Sequence, residues 1–111
     1  MKISKSMVTT SLELPGHTIV QSLGIVRGIS VRSLSMGGSI AAGFRSMLGG
    51  SIERYVKLCE QTRQEAFDLL VEHAEEMGAN AIVGMRYDAN EVLEGVTEVL
   101  AYGTAVIVEK K

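Results

Sequence analysis

The sequence is poor in cysteine, proline and aromatic residues, and each shortage excludes a class of protein. One cysteine in 111 residues cannot form an intrachain disulfide, and it is typical of a reducing compartment. A single proline and a hydrophobic content of 46% exclude a disordered chain, because this composition can build a core. The length corresponds to one domain, which we place over residues 1–111.

Long apolar runs and concentrated charge are also missing. No uncharged run approaches the roughly 18 residues of a membrane span, and Lys2 and Lys5 are not followed by the apolar segment of a signal peptide. The net charge is −2 and the basic residues are dispersed, which argues against a nucleic-acid footprint. We therefore expect a cytoplasmic protein that binds neither membranes nor nucleic acid.

The most regular pattern present is helical and covers residues 51–77. Ser51 suits an N-cap, and Gly78 follows the last periodic residue as a C′ glycine does. The apolar arc reaches about half the circumference, more than one sheet covers, so we expect the helix to contact a second chain as well. At 3.6-residue spacing the apolar side consists of Ile52, Tyr55, Val56, Cys59, Ala66, Leu70, Ala74 and Met77.

Arg63 falls inside this apolar arc. One interpretation is that its stem is buried while the guanidinium reaches the edge of the helix. The other is a buried ion pair with a carboxylate of the sheet or of a neighbouring chain. The cost of an unpaired buried charge favours a structural ion pair, so we predict that Arg63 is mostly buried and hydrogen-bonded near a subunit contact.

The remaining pattern is that of strands. Long strands are predicted over residues 18–32, 79–88 and 96–108, with a short β-prone piece at 7–10 and a polar loop at 89–95. The order β-α-β-β with a right-handed crossover makes the first two long strands parallel and places the last one between them. This predicts an α+β fold in which a long helix covers one face of a small antiparallel or mixed sheet. The other face stays semi-apolar, which favours oligomerisation.

A glycine-rich connector spans residues 36–50. Its glycine pairs at 37–38 and 49–50 can present backbone N–H groups to an anion, or can serve as turns and close-packing positions. The second role is favoured, and the absence of a Gly-Lys-Ser/Thr element excludes a P-loop.

The ligands of soft metals are few. Cys59 and His73 are 14 positions apart, which is roughly 21 Å along one helix, so they cannot share an ion within one chain. A buried structural cysteine is the favoured interpretation of Cys59. No nucleophile and base occur in a catalytic pattern, so we assign no catalytic residue and no cofactor beyond a metal ion held between subunits.

Several polar residues lie on otherwise apolar elements. Arg86 and Glu98 are expected on adjacent strands, facing away from the helix, where they either pair with each other or line a pocket between subunits; pairing is favoured. The full set of candidates for an intersubunit polar site is Arg27, Arg63, Arg86, Asp88, Glu98 and Tyr102.

Three motifs in order resemble those of a known family. They are GIVRG at 24–28, GANAIVGMRYD at 78–88 and EVLAYGTAV at 98–106, with the connector ending in Gly49-Gly50 between the first two. The chain resembles, over nearly its whole length, the YbjQ-like family of small uncharacterised bacterial proteins with a heavy-metal-binding label. The resemblance implies a dodecin-like β-α-β-β subunit assembled into a ring-shaped homopentamer.

We therefore expect a homo-oligomeric binding or scaffold protein whose partner is a second copy of itself. The alternative is a heavy-metal-binding protein in which Cys59 or His73 of several subunits complete a site. An enzyme is the third hypothesis, and no residue pattern in the sequence supports it.

Overall fold

The computed structural model describes residues 2–33, 52–93 and 96–111. Its long elements are strand β1 (His17–Ser33), helix α1 (Ile52–Glu76), strand β2 (Ala81–Leu93) and strand β3 (Val96–Lys110). The predicted α+β class and the order β-α-β-β are confirmed. The glycine-rich connector and the N-cap predicted at Ser51 lie outside the described residues. No helix within the described part of the chain is long and apolar enough to cross a membrane.

The helix ends as its sequence predicts. Gly78 has a φ of 89°, a left-handed conformation that glycine adopts without steric cost. The Gly78 N–H donates to the Glu75 carbonyl at 3.0 Å, and the Ala79 N–H donates to the Ala74 carbonyl at 3.0 Å. These two bonds form a Schellman motif, which satisfies carbonyls that the last turn would otherwise leave without partners.

The sheet has the predicted strand order. β3 lies in the middle and pairs antiparallel with both β1 and β2, which makes β1 and β2 parallel to each other. The polar loop predicted at 89–95 is wrong over most of its length, because β2 continues to Leu93 and residues 89–91 pair with β3. These residues are exposed, so their polar character is compatible with a strand at the edge of the sheet.

Close backbone approach fixes the helix on the sheet. A Cβ built on Gly28 of β1 would overlap the backbone of Ala66 and Leu70 and would lie 2.9 Å from the Leu69 Cβ. The small-residue face predicted for β3 is buried beneath the helix, as Ala101 illustrates. Complete burial of Leu70 at this contact contributes about 1.5–3 kcal/mol relative to an exposed leucine.

Only part of the predicted apolar arc of α1 is covered by the sheet. Ala66, Leu70 and Ala74 are fully buried, whereas Val56 and Met77 are 51% and 38% exposed. The side chains of Ile52 and Tyr55 lie outside the described part of the structure.

The N-terminal segment follows the outer edge of β2. After a 3₁₀ turn at Lys5–Met7, Val8 forms a parallel bridge with Ile82, so the β-prone piece predicted at 7–10 is confirmed in part. Ile3 packs on the helix side of the sheet and Leu14 on the opposite side. The segment thus closes one end of the core on both faces.

Candidate functional site

The sheet face opposite α1, which we call the open face, carries most of the polar residues that the sequence singles out. It is formed where the three strands are in regular register, and directly opposed residues of neighbouring strands share a face. The open face consists of Ile25, Arg27, Ile29 and Val31 of β1, Glu98, Leu100, Tyr102 and Thr104 of β3, and Arg86, Asp88 and Asn90 of β2.

Two arginines flank a tyrosine across the middle of the open face. Arg27 and Arg86 are the neighbours of Tyr102 on either side, and all three side chains are exposed. With strands about 4.8 Å apart, the Cα atoms of the two arginines lie roughly 10 Å from each other. The Arg86 guanidinium donates from Nη1 to the carbonyls of Thr10 at 2.9 Å and Met85 at 3.0 Å.

The favoured pairing of Arg86 with Glu98 is wrong. Because β2 continues beyond residue 88, its register sets Arg86 opposite Tyr102 and sets Asn90 opposite Glu98. Four positions of β3 therefore separate the two predicted partners along the strand, about 13 Å at 3.3 Å per residue. Arg86 instead uses backbone carbonyls as acceptors. Both residues do face away from the helix, as the sequence predicts.

The acidic part of the open face lies toward one end of the sheet. Asp88 is opposite Leu100, and Asn90 donates to the Asp88 carboxylate over a long 3.4 Å contact. Arg27, Arg86, Asp88, Glu98 and Tyr102 of the predicted polar site are thus brought to one face. Arg63, the sixth residue of the predicted site, does not lie on this face.

Arg63 lies on the other side of the sheet. Within the chain its side chain is exposed, and its Cζ atom is 6.0 Å from the centre of the Tyr87 ring. This position agrees with the first interpretation of Arg63, in which the guanidinium reaches the edge of the helix. A cation–π contact at an exposed site contributes about 0.5–1 kcal/mol. Partial burial raises the pKa of the Tyr87 hydroxyl, an effect that Arg63 opposes. Burial of Arg63 against another subunit stays a prediction.

A salt-bridge network that the sequence analysis missed joins β1 to α1. Glu65 accepts hydrogen bonds from Ser30 at 2.9 Å and from the Nε of Arg32 at 3.1 Å, and a second Arg32 nitrogen contacts its other oxygen. The hydrogen bonds from Arg32 and Ser30 lower the pKa of the Glu65 carboxyl. The available signal was strand alternation, because Ser30 and Arg32 follow Gly28 on the helix-facing side.

A small cleft of about 50 Å³ adjoins this network, and Cys59 lines it. Its walls include the two arginines 32 and 63 and the buried Thr62, whose hydroxyl donates to the Leu58 carbonyl at 2.7 Å. Cys59 is half-buried, less covered than the predicted buried cysteine.

His73 is exposed on α1, with its ring turned toward β1. Its Nδ1 lies 2.7 Å from the Arg27 carbonyl oxygen, and since a carbonyl only accepts, Nδ1 carries the proton of this bond. Histidines that bind metals are oriented by such a bond, which leaves Nε2 available. However, no three His, Cys, Asp or Glu side chains of the described ranges come together as a metal site. Within one chain, these residues do not fit a metal centre.

The comparisons with known protein sequences all point to one family. Residues 6–109 match the family model YbjQ_1, described as "Putative heavy-metal-binding". A UPF0145 protein of Paraburkholderia phymatum is 56% identical over 104 residues, which cover 94% of this chain and 94% of the relative. A UPF0145 protein of Sulfurisphaera tokodaii is 49% identical over 107 residues, covering 96% of this chain and 94% of the relative.

One solved structure is similar in fold. It is the crystal structure of a protein of unknown function from the DUF74 family of Pediococcus pentosaceus, with a TM-score of 0.64. The match covers 92% of this chain and 96% of the other at 22% identity, so it supports the fold alone.

Proposed function

This chain belongs to the YbjQ-like family, and we propose that it acts as one subunit of a homo-oligomeric ring that serves as a binding or scaffold module. The proposal includes a single domain over residues 1–111 and a non-catalytic role, since the family description names no reaction. The cytoplasmic location expected from the cysteine content stays a prediction.

The exposed apolar side chains of the open face carry this proposal. Ile25, Ile29 and Val31 lie on that face of β1, with Arg27 between the first two, and are 80%, 46% and 55% exposed. Tyr102 of β3 extends the apolar surface inward from the edge and is 37% exposed. A contiguous apolar surface bordered by charged residues is typical of a protein–protein contact. We infer that a second copy of the chain contacts it.

The geometry of the subunit supports a ring. The described residues form an elongated body of 53 × 22 × 20 Å with one sheet face covered by helix and one open. Rings form when a contact joins two different surfaces and the rotation closes. The family resemblance implies a ring of five copies with a dodecin-like subunit. The open-face polar residues would then line the interior or the subunit contacts.

Light scattering on the purified protein tests the assembly, and one substitution tests the face. On a free surface, Ile25→Lys changes the stability by no more than about 0.5 kcal/mol. If a neighbouring copy packs against Ile25, the ammonium brought into that contact weakens or dissociates the oligomer. Leu12→Lys is the matched control, because Leu12 is 77% exposed in the N-terminal loop. A monomeric wild-type protein at micromolar concentration would contradict the proposal.

Heavy-metal binding between subunits is the second candidate. The family description supports it, and so does the Nδ1–H bond of His73, which leaves Nε2 to face another chain. Zn²⁺ and Cu⁺ titrations of the wild type, Cys59→Ala and His73→Ala test it. A site shared by subunits predicts stoichiometric uptake that one of the two variants loses. Equally weak uptake by all three proteins would remove both residues from consideration.

A further inference from the structure

The sheet has two edges with unequal cover. Residues 8–11 pair with the first part of β2: the Thr9 N–H donates to the Ile82 carbonyl, and the Met85 N–H donates to the Thr9 carbonyl, both at 3.0 Å. No segment in the described ranges pairs with residues 86–93 of β2 or with the outer edge of β1. Among the described residues, both edges thus present backbone N–H and C=O groups to a further strand.

β1 has few of the features that keep edge strands from associating. It contains no proline, and its register with β3 is unbroken from Gly24 to Ser33. Exposed isoleucine and valine side chains alternate along this regular part. A long, regular edge with exposed apolar side chains predicts pairing with another chain.

Charge distinguishes the two possible partners of this edge. β1 contains Arg27 and Arg32 and no acidic residue; Arg32 is paired with Glu65 of α1, so Arg27 supplies the positive charge on the open face. The uncovered part of β2 contains Asp88 and Glu91 against one arginine, Arg86. Pairing β1 with β1 of another copy would bring basic strands together, whereas pairing it with β2 brings opposite net charges together. Opposite charges on adjacent strands stabilise and like charges destabilise.

Strand direction is compatible with the second arrangement. β1 and β2 run parallel within one chain, so a rotated copy can add its β2 to β1 in parallel. Its helix then lies on the same side, and the open faces of the two copies become continuous. Because this contact joins two different edges, it repeats from copy to copy and closes into a ring with no edge left exposed.

We propose that β1 of each copy pairs in parallel with residues 86–93 of β2 in the next copy. This inference rests on the proposed homo-oligomer and names the surfaces that form it. The favoured register sets Arg27 beside Asp88 of the neighbouring copy and Ile29 beside Asn90 of that copy, all on the open face. The neighbour thereby supplies a carboxylate to the Arg27–Tyr102–Arg86 row. The Arg27 carbonyl, which accepts from His73, keeps a second lone pair for a strand bond.

Disulfide trapping tests this contact. In a Cys59→Ala background, Ile29→Cys and Asn90→Cys variants are prepared, refolded together in equal amounts and oxidised mildly. Within one chain β3 lies between these positions and they are two residues apart along it, so their Cα atoms are roughly 12 Å apart, beyond the limit of about 7 Å for a disulfide. The proposal predicts a mixed cross-linked dimer as the main product, and no dimer from either variant alone. Glu72→Cys, exposed on α1, replaces Asn90→Cys in the control mixture, which gives no cross-link.

Each other outcome has a defined meaning. Cross-linking of Ile29→Cys with itself would establish β1–β1 pairing and overturn the proposal. An assembled protein that forms no cross-link, either with Asn90→Cys or with Asp88→Cys one register step away, would overturn edge pairing and leave the oligomer intact. A monomeric wild-type protein would overturn the proposed function together with this inference.

Hydrogen exchange on the unmodified protein provides a test that needs no substitution. Pairing predicts that outward-facing amides of residues 25–33 exchange slowly in the assembly and faster on dilution to the monomer. Fast exchange at this edge in the intact assembly would contradict the proposal.

Discussion

Replacing Gly28 with alanine tests the closest contact between helix and sheet. The added methyl group would overlap the backbone of Ala66 and Leu70 in the middle of α1. A helix backbone cannot rotate away as a flexible side chain can, so the helix itself must shift from β1. The rest of the core between α1 and the sheet then loses contact.

Two opposing effects decide whether Gly28→Ala raises or lowers the free energy of unfolding. Alanine lowers the entropy of the unfolded chain relative to glycine, which stabilises by about 0.4–1 kcal/mol where the site accepts it. Overpacking in a dense core costs about 1–3 kcal/mol, occasionally more. The severity of this overlap places the cost at the upper end, so we expect a net destabilisation of about 1–3 kcal/mol. For a domain of this size, that lowers Tm by roughly 4–12 °C.

Urea denaturation followed by circular dichroism measures the free energy of unfolding at a fixed protein concentration, since assembly contributes to it. Gly103→Ala is the graded control: its added methyl group would lie 3.0 Å from the Ile82 Cγ2 and 3.1 and 3.2 Å from backbone atoms of Val83 and Met85, a milder overlap than that at Gly28. It should therefore cost less than Gly28→Ala. A Gly28→Ala protein that is as stable as the wild type or more stable would refute the packing described for α1.

Three further predictions concern polar contacts. Because the pKa of Glu65 is lowered in the folded protein, its contribution to the free energy of unfolding is present above the ordinary glutamate pKa near 4.3 and is lost as pH falls through the folded pKa. Glu65→Gln should therefore cost about 0.2–1 kcal/mol at pH 7 and nothing in acid. Urea titrations at a series of pH values measure this difference. Asn80 bonds both the N–H and the C=O of Val108, at 2.8 and 2.9 Å, so Asn80→Ala should cost about 1–3 kcal/mol. As a control, Gln61→Ala on the exposed side of α1 should change stability by less than about 0.5 kcal/mol. Arg63→Ala should weaken assembly in sedimentation experiments more than Arg63→Met, which retains the stem; equal, unchanged assembly would show that this arginine lies outside the subunit contact.

The main elements could be predicted because their patterns are local. Helical spacing and Gly78 define the end of α1, and the handedness of the crossover allows few strand orders. Residues 89–93 could not be recognised as strand, because their extended conformation depends on pairing with β3 and not on their own polar composition. A strand at the edge of a sheet needs no apolar alternation.

The side-chain partners were harder to predict. Helical spacing placed Arg63 on the same side of α1 as Leu70. It gave no information on which strands lie beneath that part of the helix. The close approach at Gly28 brings α1 onto β1, and Arg63 is left above Tyr87 of β2. The partner of Arg86 depended on the register between β2 and β3, and β2 continues past residue 88, where the sequence pattern ended it. Glu65 met Arg32 across 33 positions, a separation at which periodicity carries no information.

The mass of the wild-type protein in solution tests the central claim most directly. Light scattering coupled to size exclusion at micromolar concentration should give about 60 kDa, five times the 11.9 kDa of one chain, if the ring has the number of copies that the family resemblance implies. A single species at 11.9 kDa would contradict the assembly, and with it the inference that the open face and the two sheet edges are subunit contacts.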